Sequence, residues 1–124
     1  MEHITAMTAL LIILAAIAKA SMDKVNFHFS TSVFKTLNPH FFNPYYSWRN
    51  KWKNGIVGKE KFPFSSTLFV FTTDFWHLAQ FAFLNCLFFA IVFYNGENLF
   101  LDFIIFRIIF GVTFQITYKY ILND

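Results

Sequence analysis

From Ser66 to Tyr94 the chain reads "STLFVFTTDFWHLAQFAFLNCLFFAIVFY", an almost unbroken apolar run that nevertheless carries Asp74, His77, Gln80 and Asn85. A run of this length fits a membrane-crossing helix far better than any element of a small soluble domain. With 124 residues, 56 % hydrophobic, 23 % aromatic and 14 % charged, the chain has too little interior to hide its apolar surface from water. A bilayer accepts that surface without a core. The fold class that follows is all-α: a polytopic integral membrane protein of three transmembrane helices, one helix followed by a helical hairpin.

The first segment, Ile4 to Ala20, is apolar and continues into an amphipathic stretch from Ser21 to Lys35, so that residues 1–35 read as the first transmembrane helix with an extension. Met22, Val25, Phe29 and Val33 recur at helical spacing there. Val25, Phe27 and Phe29 also alternate as in a strand. Helix is preferred, because an unpaired strand beside a membrane leaves backbone groups unsatisfied. Lys19 and Asp23 then pair across one turn. Ala18-Lys19-Ala20 resembles a signal-peptidase site, but the opening "MEH" lacks the Lys or Arg of a signal peptide. Small residues along the segment (Thr5, Thr8, Ala9, Ala15, Ala16, Ala20) allow close helix approach.

Residues 36–64 differ in composition and hold all three prolines of the chain. Two Asn-Pro pairs and one Asn-Gly mark turns, which makes this a basic, aromatic loop. Arg49, Lys51, Lys53, Lys59 and Lys61 are opposed only by Glu60. Positive charge flanking spans stays on the cytoplasmic side, so the loop faces in, the N-terminus out and the C-terminus in, with Lys119 in agreement. Within it, Tyr45, Tyr46, Trp48 and Trp52 interleave with Arg49, Lys51 and Lys53. That pattern suits lipid headgroups or a docking partner. The formal charge of +3 is explained by this orientation and does not call for nucleic acid.

The second transmembrane helix is read over residues 65–95, with Ser65 or Ser66 as N-cap and Asn95-Gly96 as its stop. Asn98 caps the third, residues 98–122. The short connection makes these two an antiparallel hairpin. Each carries a polar stripe about 80° wide: Asp74, His77 and Asn85 with Gln80 on the flank, and Arg107, Gly111, Gln115 and Tyr118. With the stripes facing, the numbers of opposed residues sum to roughly 193. Lys119 then lies level with Asp74 as an ion pair and Gln115 near His77 as a hydrogen bond. Arg107 falls near Asn85 or Cys86 with no acid at its level, and so points to a partner.

Catalytic motifs are missing, as are the Cys/His spacings of a zinc site, and neither metal nor cofactor is expected. Haem on His77 requires a second histidine from another subunit, since His3, His28 and His40 lie at or beyond the membrane surfaces. Lone Cys86 forms no intrachain disulfide.

The function these residues favour is a small accessory or structural subunit of a larger membrane complex or homo-oligomer, in an inner or plasma-type membrane, and not an enzyme. Its partners are membrane lipids and other membrane subunits or itself. The alternative is an oligomeric pore, proton pathway or membrane-active toxin or lysis protein, with Asp74, His77, Gln80 and Gln115 lining the path. A weaker third reading is an enzyme acting on lipid headgroups through the loop.

Overall fold

In the computed structural model the chain is described from residue 2 onward, and its side chains from residue 6 onward; the expectations on His3 and Thr5 lie outside the described side chains. Three helices are long and apolar enough to cross a membrane: Ala6–Phe27, Phe75–Phe93 and Leu99–Ile121. Helix α1 runs Glu2–Phe27; two single-turn helices, α2 (Pro39–Phe42) and α3 (Pro44–Ser47), follow; then come α4 (Phe75–Phe93) and α5 (Leu99–Ile116), which continues as a π turn over Thr117–Ile121. Among the described residues there is no strand, only isolated bridges.

α1 is the centre of the molecule. It packs closely along α4 and also against α5, whereas α4 and α5 touch each other little after their short connection. The expected pairing of the second and third helices as facing partners is thereby corrected. The cause is side-chain size. Ala15, Ala16 and Ala20 are fully buried and Thr8 nearly so, and such small groups let two neighbours approach one helix at once. The Phe-rich surfaces of α4 and α5 keep their backbones apart. Phe83 and Phe110 do meet, ring centroids 6.3 Å apart, at the level the hairpin register predicts.

The amphipathic continuation to Lys35 is also corrected, since α1 stops at Phe27. Beyond it Thr31 and Ser32 spend their hydroxyls on nearby backbone: Thr31 Oγ1 donates to His28 O at 3.3 Å, and Ser32 Oγ donates to Phe29 O at 2.8 Å and accepts from the Phe34 N–H at 3.2 Å. Local bonds of this kind compete with helix propagation. The freed backbone finds partners at the far end of the chain. Val33 N–H donates to Leu122 O at 2.8 Å and Asp124 N–H to Thr31 O at 2.9 Å. Lys35 and Asp124 add an ion pair. The C-terminus and the 28–74 segment therefore share one end of the bundle, and the 94–98 turn occupies the other.

The third correction concerns where the second long helix begins. Residues 65–73 form turns, including a 3-10 turn over Val70–Thr72, and α4 starts at Phe75 behind Asp74. Thr67, Val70, Thr72 and Thr73 are β-branched and interleave with Phe69 and Phe71, so the run is a poor helix former. Ser65 does not cap α4; it is buried, with its hydroxyl on Lys51 O at 2.7 Å. The stop at Asn95-Gly96 agrees with the structure, as does Asn98, whose side chain accepts from Leu101 N–H.

The 36–64 segment is built from the turns its Asn and Pro residues prescribe. Each Asn-Pro opens one helical turn, Asn38 and Asn43 capping and Pro39 and Pro44 in first position. Asn54 and Gly55 both adopt positive φ, 55° and 72°, in a tight reversal that sets Lys53 N–H on Lys59 O at 2.7 Å. Phe34, Phe42 and Phe75 pack mutually, with centroids 4.9 to 5.9 Å apart, and anchor the segment to the start of α4.

Candidate functional site

Asp74 and His77 meet, but as a helix terminus. The Asp74 carboxylate is buried, accepts the His77 backbone N–H at 2.9 Å and lies 2.8 Å from His77 Nδ1. Thr73 Oγ1 lies 3.3 Å from the oxygen that faces His77 Nδ1 and donates to Val70 O at 2.7 Å. An aspartate at N-cap satisfies an orphan helix donor and suits the positive end of the helix, worth about 1 kcal/mol. Asp74 thus stands at the mouth of the apolar helix rather than inside it, which removes the need for Lys119 as counter-ion. Lys119 and Gln115 are exposed and make no hydrogen bond or ion pair among the described residues. Gln80 is half-buried and likewise unbonded. Asn85 gives its amide to Phe81 O, 2.8 Å away on its own helix. The structure thus does not join these side chains into one polar stripe.

Arg107 differs from Lys19 and Lys24 of α1, which engage Asp23 and Asn123, and from Lys119, which is also unpaired among the described residues but sits in the terminal π turn. Arg107 is exposed on α5, shares a shallow surface notch with Ile108, Gly111, Val112, Gln115 and Ile116, and makes no polar contact among the described residues. It lies roughly 12 Å along the axis from the Leu99 end, too deep to be a terminal residue. A Cβ added at Gly111 would meet nothing within 4 Å. The chain's own packing has no use for that glycine. Asp102, five residues before Arg107, is already engaged: Tyr94 hydroxyl donates to it at 2.7 Å across Gly96, where a Cβ would collide with both groups.

Sequence reasoning missed a second cation, Lys24. It is buried near the end of α1, with Nζ 3.2 Å from Asn123 Oδ1 and 4.5 Å above the Tyr118 ring. His28 Nδ1 is 2.5 Å from the Tyr118 hydroxyl. No local signal could have found this cluster, because its halves are separated by most of the chain.

Tyr45, Tyr46 and Trp48 are exposed, Arg49 lies 5.2 Å from the Trp48 ring and Lys51 5.9 Å from the Trp52 ring, and Lys53 is exposed at the start of the reversal. Glu60 is exposed, lies 2.6 Å from Ser65 Oγ, whose one proton it shares with Lys51 O, accepts the Ser66 N–H at 2.8 Å, and also takes the Ser66 hydroxyl. These donors hold its carboxyl below the usual glutamate range. Among the described residues no three His, Cys, Asp or Glu side chains converge as a metal site. No family model, curated protein or solved structure matches the chain.

Proposed function

We propose that this chain is a small integral membrane subunit that assembles with a different membrane protein through the α5 face of Arg107, Gly111 and Gln115. In this reading the 28–74 segment and the C-terminus lie inside, the N-terminus and the 94–98 turn outside, in an inner or plasma-type membrane. The observation that carries it is Arg107, an exposed cation well within an apolar helix, with nothing to pair it among the described residues. Leaving such a group to lipid costs about 3 kcal/mol on insertion scales, which a carboxylate on a neighbouring helix offsets. Gly111, one turn further on, offers the close approach that such a helix needs. A two-fold pair of copies through this face sets Arg107 against Arg107, so charge favours a foreign helix bearing an acid.

The test is to extract the tagged chain gently from its native membrane and identify what elutes with it. A stoichiometric partner with a carboxylate in an apolar helix is expected, lost in Arg107→Leu and in Gly111→Leu while circular dichroism of the variants is unchanged. A partner retained in full by both variants removes the reading.

A further inference from the structure

We infer that the concavity on the 36–64 segment is a binding site for a phosphoryl group, with Arg49, Lys61 and His40 as its donors. Its residues are not those of the α5 face, so each proposal fails independently of the other.

The site is a pocket of about 450 Å³ whose wall includes His40, Tyr46, Arg49, Asn50, Trp52 and Lys61. Three elements supply the basic groups: His40 comes from α2, Arg49 follows α3, and Lys61 sits on the return of the Asn54-Gly55 reversal. The chain folds back twice to bring them to one wall. No carboxylate lines the pocket. Glu60, the one acid of the segment, is committed to Ser65 and Ser66. Arg49 and Lys61 therefore have no ion pair among the described residues, and their N–H groups remain for a ligand. A guanidinium offers a planar fork that matches phosphate oxygens, and an ammonium adds a point charge.

The pocket is also braced. Asn50 Nδ2 donates to His40 O at 2.6 Å and to Thr73 O at 2.8 Å, holding α2 to the residue that precedes the α4 cap. That bond fixes the depth of the site as well. It opens beside the start of an apolar helix, where phospholipid headgroups lie if α4 crosses a bilayer, and Tyr46 and Trp52 provide the amphipathic wall suited to that depth. The phosphoryl group can belong to an anionic lipid or to a soluble phosphate ester.

The experiment uses the full chain in phosphatidylcholine nanodiscs with or without phosphatidic acid, read by native mass spectrometry of co-retained lipid, with inorganic phosphate and glycerol phosphate titrated separately. One phosphatidic acid per chain is expected, with retention reduced on the order of tenfold in Arg49→Gln and in Lys61→Gln. Arg49→Lys, which keeps the charge and loses the fork, should fall between. Lys53→Gln and Lys59→Gln remove the same charge outside the pocket and should change retention little. Saturable binding of the soluble phosphates with the same Arg49 and Lys61 dependence, and no lipid retained, assigns the site to a soluble ligand. Equal losses in all four neutralised variants mean a diffuse basic surface and overturn the site, as does equal retention of phosphatidylcholine. Unchanged thermal unfolding of each variant is the control that its pocket is still folded.

Discussion

α1 and α5 offer membrane-length apolar stretches of 22 and 23 residues, yet they meet the rest of the chain in opposite ways. α1 is enclosed by two helices and closed at its end by residues 122–124. α5 has no buried residue between Leu99 and Ile116. The contrast extends to their cations: Lys24 is buried with an amide oxygen and a ring to hold it, and Arg107 is exposed with neither. Side-chain size produces the first difference and chain connectivity the second. Alanines bring neighbours to α1, and the returning C-terminus brings an acceptor to Lys24. Beyond its contact with α1, the bulky Phe and Ile of α5 leave most of its surface uncovered, so Arg107 finds no partner among the described residues.

The largest effect expected from breaking this contrast comes from enlarging α1. Ala20→Phe forces apart the two helices that share that surface and should cost about 3 kcal/mol, the upper end of the overpacking range. Thermal unfolding in detergent, followed by circular dichroism, reads it; an unchanged midpoint means that α1 is not the shared helix. Next is Asn123→Leu, which strands the buried Lys24 charge and should cost about 2 kcal/mol in the same measurement. Lys24→Met removes the charge together with its requirement and should cost less, so the reverse order would contradict the assignment.

Asp74→Ala removes the α4 cap and should cost about 1 kcal/mol, whereas Asp74→Asn keeps an accepting oxygen and should cost only a few tenths. Equal losses would point to the His77 pairing rather than the cap. Arg107→Leu, despite deleting a charge, should leave the stability of the isolated chain within about 0.5 kcal/mol, because nothing among the described residues holds that side chain. A clear loss would show that α5 is not an open face.

The smallest effect is a pH dependence confined to the loop. The Glu60 carboxyl is lowered in the folded state by the Ser65 and Ser66 hydroxyls. Its contribution is therefore present above the unfolded glutamate pKa of about 4.3 and is lost as pH falls through the lower folded value. Hydrogen exchange of residues 59–67 should accelerate across that acid window relative to neutral base-line behaviour, and Glu60→Gln should abolish the extra dependence.

Much of the fold was legible because three apolar runs and a few turn residues act locally. Asn98 caps α5 and Asn54-Gly55 reverses the loop for reasons contained in two or three residues. The start of α4 was legible too, in signals outweighed by hydropathy: residues 65–95 as one helix would span roughly 46 Å, against a hydrocarbon core of about 30 Å. Thr72-Thr73-Asp74 is a capping sequence at the point where the excess must end. The insertion of α1 between the other two was not legible from adjacency, since a short connection implies neighbours in sequence and not tight packing. Of the candidate site, Arg107 was readable as a cation lacking an acid. The pocket of His40, Arg49 and Lys61 was not, because its walls come together only through the Asn50 bonds and the Asn-Gly reversal.

In the proposed membrane reading, the unequal lengths of α4 and of the Leu99–Ile121 stretch set a requirement on the surrounding lipid. At about 1.5 Å per residue, the 19 residues of α4 reach roughly 28 Å and the 23 of Leu99–Ile121 roughly 34 Å. A single hydrocarbon thickness cannot match both helices upright, so in a bilayer fitted to α4 the longer helix leans, which splays the bundle away from parallel. Bilayer thickness would then act on this chain: a thinner membrane would increase the lean of α5 and turn the Arg107 face relative to any neighbour, and a thicker one would stretch the match to α4.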